Sequence, residues 1–234
     1  MTASEHPKGS RPAAEVRARP APRMPVALPR LPMPASLSPL AAEIAATAAR
    51  LIVEEGMEYG PAKRKAAKLL SKRTLASVDL PGNDAVEDEV RAYIDIFCAD
   101  TQPAELAALR AIALRWMERL AEFRPYLAGA VWNGTATRLN DVWLNLFCDD
   151  SKSAEIRLID RGMDYEVGSV QGFRGEQVDV LTLTETSHEL RARVSVHLVV
   201  YDLDDLRGAL KPDARGRTER GGVEAVRALV EAGS

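Results

Sequence analysis

The sequence predicts an α+β protein in which a helical N-terminal region packs on a mixed β-sheet with flanking helices. Two observations carry that expectation. Between Leu40 and Phe123 the apolar residues recur three and four apart, the spacing of one helix face. Beyond Pro125 the period drops to two, as on half-buried strands. A sheet with one apolar side needs helices against it, so both halves suit a layered architecture. The expected boundaries are a leader over residues 1–39, a helical region over 40–124, a sheet region over 125–210, and a loop with a C-terminal helix over 211–234.

The leader, with "RPAAEVRARPAPRMPVALPRLPMP", mixes proline, arginine and alanine without period. Each proline removes a backbone donor and restrains its predecessor, which predicts a disordered basic tail. Its arginines suit nucleic acid or acidic surfaces, or form a plain solvated extension. Ordered sequence starts with Leu40, Ile44, Ala48, Leu51 and Ile52 on one helical face, and Gly56 is the natural stop. In "YGPAKRKAAKLLSKR", Pro61 fits a first helical turn and Lys63, Arg64, Lys65, Lys68, Lys72 and Arg73 concentrate positive charge. That cluster reads as a contact for nucleic acid or a protein partner, or as the solvated side of a helix packing through Ala62, Ala66, Leu69 and Leu70.

A third helix follows in "PGNDAVEDEVRAYIDIFCAD", with Asn83 or Asp84 as N-cap and Val86, Val90, Ile94 and Phe97 along one side. Glu87, Asp88 and Glu89 suit its dipole. "TQPAELAALRAIALRWMERLAEF" is the strongest helix, with Thr101 as cap and Leu106, Leu109, Ala113, Trp116 or Met117, and Leu120 as its buried stripe. In the second half, "LAGAVWNG", "DVWLNLFC", "DYEVGSV", "EQVDVLTLTE" and "RARVSVHLVVYD" are strand-like, and "KSAEIRLIDRG" is a short helix closed by Gly162. Val194, Val196, Leu198 and Val200 alternate with Ser195, His197, Val199 and Tyr201, so one face of the last strand is wholly apolar. A final helix is expected from about Val223.

Bulk properties remove several functions. A formal charge of −3, from 31 Lys+Arg and 34 Asp+Glu, gives no global attraction to phosphate backbones or anionic lipid. Cys98 and Cys148 lie far apart without zinc-ligand spacing, and reduced thiols in a cytoplasmic protein are the expectation. No apolar run approaches the length of about 18 residues that spans a bilayer, and prolines at 20, 22, 25, 29, 32 and 34 interrupt any signal-peptide core. Phosphate-loop, dinucleotide, HExxH and GxSxG motifs are missing, and "GSVQGFRGE" reads as a turn.

One stretch does point to chemistry. In "GAVWNGTATRLNDVWLNLFCDD" a small glycine and hydroxyl turn is followed by a polar spacer and then an aspartate opening a strand. This order resembles the nucleotidyltransferase fold of the polymerase beta superfamily and the minimal nucleotidyltransferases, over about residues 127–205. Those proteins have a Gly-Ser turn, a spacer rich in Arg and Ser, and Ser-Asp-x-Asp at the start of the second strand. Here Gly134-Thr135 takes the turn, Arg138 the spacer, and Asn140-Asp141-Val142-Trp143 the acidic motif. The resemblance implies a nucleoside triphosphate held near Gly134, Thr135 and Arg138. It also implies Mg2+ on Asp141, with Asp179 in support as catalytic and metal-binding carboxylate.

Residues two apart on a strand share a face, which is why Asp-x-Asp holds a divalent ion beside a triphosphate. A third carboxylate from a neighbouring strand completes the site for in-line displacement. The sequence departs at Trp143, whose indole has no oxygen to give a metal. Asn145 sits about 7 Å further along the strand, too far to replace it. For the third position, Asp179 is the acidic choice; His197 has the better strand order but is a poor magnesium ligand. Asp149 and Asp150 fit a cap for the next helix. Ordinary structural roles compete throughout: a turn for Gly134, Thr135 and Asp141, packing for Trp143, a hydrogen-bonded histidine at 197. Two functions stay open, a divergent nucleotidyltransferase and a catalytically inactive module binding a nucleotide, RNA or a protein partner. A third is self-association through the helical part.

Overall fold

The computed structural model describes residues 37–70, 79–213 and 215–233. Residues 1–36 of the leader, and Lys72 and Arg73 of the basic cluster, lie outside these residues, while Ser38 and Pro39, expected in the leader, open the first helix. An α+β architecture is present: helices flank a six-stranded mixed sheet of order β3-β4-β5-β2-β1-β6.

Three helices form their own small core. α1 (Pro39–Glu55) starts at Ser38, whose hydroxyl accepts from the Ala41 N–H, and ends at Gly56 in the left-handed region (φ 66°). α2 (Tyr59–Leu70) and α3 (Asn83–Phe97) pack on it through Ala45, Ala48, Ala62, Ala66, Val86 and Val90. Small side chains let α1 and α2 approach closely, and this shifts the expected stripe: Ala67 is buried, while Leu69 (64 % exposed) and Leu70 face outward. The cap of α3 also differs. Gly82 holds the N-cap position, and Asn83 instead accepts from Lys63 Nζ at 2.7 Å. Phe97 is exposed and packs at a tilt against Tyr93.

α4 (Gln102–Arg119) leaves this group and joins the sheet. Its stripe of Leu106, Leu109, Ile112, Ala113, Trp116 and Met117 is continuous with the main core. The remaining elements are β1 (Tyr126–Ala128), α5 (Gly129–Asn133), β2 (Val142–Cys148), α6 (Ser153–Asp160), β3 (Glu166–Gln171), β4 (Gln177–Ser187), β5 (Ala192–Asp202), α7 (Leu206–Ala209), β6 (Arg220–Gly222) and α8 (Val223–Ala232). β2 runs parallel to β5 and antiparallel to β1.

"LAGAVWNG" corrects the expectation of a strand. Only Tyr126–Ala128 is extended; Gly129 takes φ 70° and the chain turns into α5, with Val131 buried. A short apolar run has no period that separates strand from buried helix. β6 escapes sequence reading because "RGG" carries no alternation.

The two sheet faces differ. Val142, Leu144 and Leu146 of β2, with Val196, Leu198 and Val200 of β5 and Leu181 and Leu183 of β4, make the face covered by α4, α6 and α8. The alternation expected for β5 is therefore observed. The opposite face carries Phe147, Val180, Val199 and Tyr201, covered at one end by Leu203, Leu206 and Ala209. Toward the other end lie Trp143 and His197.

Candidate functional site

The turn ahead of β2 places Asp141. Asn140 Oδ1 accepts from the Thr137 N–H at 2.8 Å and the Asn140 N–H returns to the Thr137 carbonyl at 2.9 Å. This closed turn delivers Asp141 to the opening of β2. The period of two then puts Trp143 and Asn145 on the second face, and the register sets Ala128, Trp143, His197 and Thr182 in one row across four strands.

His197 is the centre of that row. Its ring stacks on Trp143 with centroids 4.1 Å apart. Nε2 lies 3.2 Å from Asp141 Oδ2 and Nδ1 lies 2.9 Å from Thr182 Oγ1. Nε2–H donates to the carboxylate in either charge state; Nδ1 accepts the Thr182 hydroxyl proton in the neutral ring and donates to Thr182 Oγ1 in the charged one. Burial pushes the Asp141 carboxyl up, but the hydrogen bond and charge of His197, with hydrogen bonds from Ser195, outweigh it and hold the group below its ordinary value.

The sign follows from linkage. A carboxyl depressed in the fold adds stability above its unfolded pKa of about 3.9 and loses it as pH falls through the folded value. The stability gap between the wild type and Asp141→Asn is thus expected to be full at neutral pH and to close in acid. Carbon-13 titration checks the cause directly: an Asp141 midpoint at or above the ordinary value would contradict it.

Asp179 does not join this site. It follows the parity of Leu181 and Leu183, so it projects on the helix-covered face, where Lys152 Nζ meets its Oδ2 at 3.0 Å. By register Asp141 is level with Ser195 and Asp179 with Val200. Five residues at about 3.3 Å each separate the two levels by roughly 16 Å along the strands. Two carboxylates on opposite faces cannot share an ion. The donor set beside Asp141, an indole and an imidazole already bonded on both nitrogens, does not fit Mg2+. Among the described residues no group of three or more His, Cys, Asp or Glu side chains is placed to hold a metal.

The expected phosphate contacts are also placed otherwise. Gly134 (φ 82°) ends α5, and Gln102 Nε2 donates to its carbonyl at 3.1 Å and to that of Ala136 at 2.9 Å. Thr135 is 2 % exposed, inside the protein. Only Arg138 is at the surface, its guanidinium 3.9 Å from Glu105. The basic cluster is partly spent as well. Lys63 donates to Asn83 and the Pro81 carbonyl, and Lys65 pairs with Glu55 at 2.6 Å; Arg64 and Lys68 are exposed.

Asp141 lines one of two neighbouring hollows. A recess of about 130 Å³ is lined by Met57, Tyr59, Gly129, Asn140, Asp141 and Trp143. It shares Tyr59 and Gly129 with a cleft of about 670 Å³ walled by Tyr59 and Trp132. Four carboxylates, Asp84, Glu87, Asp213 and Glu219, line that cleft against two guanidiniums, Arg91 and Arg217. Arg91 pairs with Glu87 at 2.6 Å and Arg217 with Asp213 at 3.2 Å. The cleft is therefore aromatic-walled and net acidic, a poor host for a triphosphate without a metal.

Thr182, Tyr59, Trp132, Asp213 and Arg217 had no signal in the sequence. Thr182 meets His197 only through the β4–β5 register, and the cleft residues come from five separate segments. Thiol chemistry has little support: Cys98 and Cys148 are free, and burial, with Asp149 and Asp150, pushes the Cys148 thiol up to about 11. No described helix is long and apolar enough to cross a membrane. No family model matches the chain, and neither a curated protein nor a solved structure matches it.

Proposed function

We propose that this chain is a nucleotidyltransferase-like protein that acts as a binding module without nucleotidyl transfer. One observation carries the reading: Asp141, at the opening of β2, is held by His197 of the neighbouring strand, while Trp143 stands where a second carboxylate belongs. Two elements expected from the resemblance, an aspartate opening β2 and a neighbouring strand contributing to the site, support kinship, whereas the Gly134 turn follows α5 and not β1. The side chains support loss of the metal. The acidic, aromatic-walled cleft favours a basic segment of a protein partner over a nucleotide or RNA. The free thiols suit a cytoplasmic setting.

Calorimetry with each nucleoside triphosphate, with and without Mg2+, is expected to give no magnesium-dependent heat, and no pyrophosphate should be released. A lysine- and arginine-rich probe peptide is expected to bind, with Asp84→Lys weakening it about tenfold, or roughly 1.4 kcal/mol, and Asp141→Asn leaving it unchanged. Magnesium-dependent turnover abolished by Asp141→Asn would reverse the reading. Partial exposure of the Asp141 side chain, 44 %, beside the smaller recess is the observation that favours that second, enzymatic reading.

A further inference from the structure

We infer that the cavity around Arg220 takes a singly charged carboxylate on a short aliphatic body, held by the Arg220 guanidinium. Arg220 opens β6, and its side chain is only 7 % exposed. Of its nitrogens, Nη2 donates to Glu219 Oε2 at 3.1 Å. Nε and Nη1 have no hydrogen-bond partner among the described residues and are shut off from bulk water. Buried polar groups are nearly always paired, and a buried charge is costly unless it is. Burial pulls the Arg220 guanidinium below its ordinary value, against Glu219, but a guanidinium keeps its proton in a protein, so the charge stays. The guanidinium lies over the Phe173 ring at 4.6 Å, and Phe173 stacks on Tyr201. A ring occupies the face of the cation and leaves its in-plane N–H groups for an oxygen acceptor.

Arg220 lines a cavity of about 430 Å³, the size of a small-molecule site. The turn "GFRGE" between β3 and β4 brings Phe173 and Arg174 to it, and α7 with the chain after it brings Ala209, Lys211 and Pro212. Most of the nearby charges are already matched. Arg174 pairs with Asp205 at 2.6 Å, and Asp213 accepts from Arg217 Nε at 3.2 Å and from two backbone N–H groups. Lys211 and Asp204 make no ion pair among the described residues. Arg220 and Lys211 therefore stand against Asp204 and Glu219.

Glu219 is the group that yields. It is 69 % exposed and touches Arg220 through one oxygen, so turning it into solvent gives up little and frees Nη2 as the way in. One positive charge is then left over at the cavity, and Nη1 with Nη2 makes the end of a fork that two coplanar oxygens match. A carboxylate fits that charge and that shape. A phosphate dianion would meet Asp204, Asp205 and Asp213 with too few cations to answer it. Ala209, Pro212 and Phe173 supply apolar wall for the aliphatic body. A free short-chain acid and the C-terminus of a peptide share this chemistry. Asp213 and Glu219 also line the larger cleft, but a basic peptide there needs neither Arg220 nor Lys211.

Nitrogen-15 correlation spectra of the full chain test this by following the Arg220 Nε–H signal, assigned by its loss in Arg220→Lys. Hexanoate and an N-acetylated dipeptide with a free C-terminus are titrated separately, beside hexanamide, the amidated dipeptide and inorganic phosphate. A saturable shift is expected with hexanoate or the free dipeptide, the tighter binder naming the source, and none with either amide. Calorimetry with that binder should show Arg220→Lys weakening it about tenfold or more, because an ammonium lacks the fork. Glu219→Gln, a change at an exposed side chain, should instead tighten it about tenfold, the scale of one charge-assisted hydrogen bond no longer competed for. Silence with both carboxylates overturns the inference. So does a shift that the amides reproduce, tighter binding of phosphate, or an affinity that Glu219→Gln leaves unchanged or lowers.

Discussion

Leu144→Ala lowers the unfolding free energy by about 2–5 kcal/mol, the range for truncating a fully buried leucine. Leu144 is 0 % exposed at the middle of β2, paired with Leu127 of β1 on one side and Leu198 of β5 on the other. Both neighbours are themselves fully buried, so the cavity opens where the sheet has least freedom to close it. Urea unfolding followed by circular dichroism measures the effect, with the slope expected to stay near the wild-type value. A midpoint shift worth less than about 1 kcal/mol, no more than an ordinary substitution costs, would mean that β2 is not the centre of the core.

Gly221→Ala is expected to cost about 1–3 kcal/mol, the price of overpacking. A Cβ at this position would lie 2.1 Å from Trp132 Cζ3 and 2.2 Å from Cη2. The indole cannot simply swing aside, because its Nε1–H donates to the Thr218 carbonyl at 2.7 Å. Relief therefore breaks a hydrogen bond or separates β6 from β1. The pair is coupled, and a double-mutant cycle reads the coupling. Trp132→Ala combined with Gly221→Ala should be less destabilised than the sum of the two single changes; strict additivity would show that the ring is not the obstacle. Since Trp132 also walls the larger cleft, Gly221→Ala should weaken the probe peptide there.

The fold was legible where a long segment repeats one period. α1, α4 and β5 were read from Leu40–Ile52, Leu106–Leu120 and Val194–Val200 because helix and strand spacing are local properties of the chain. α5 and β6 were not, since five and three residues are too few to display a period. The site was legible only in part. Asp141, Trp143 and His197 could be named from strand order, but which of them meet depends on register. A shift of one residue reverses the face of a side chain, and that parity sends Asp179 to Lys152 instead of to Asp141.

The parallel pairing of β2 with β5 has a consequence for how the molecule is made. Val142 meets Val196, 54 positions later by subtraction, and only when the β3–β4–β5 meander exists can β2 find its inner neighbour. Closing so long a loop is entropically costly and slow compared with forming the helices. During synthesis the run Val142–Cys148 therefore waits, apolar and half-paired with β1, while the ribosome supplies the strand that completes it.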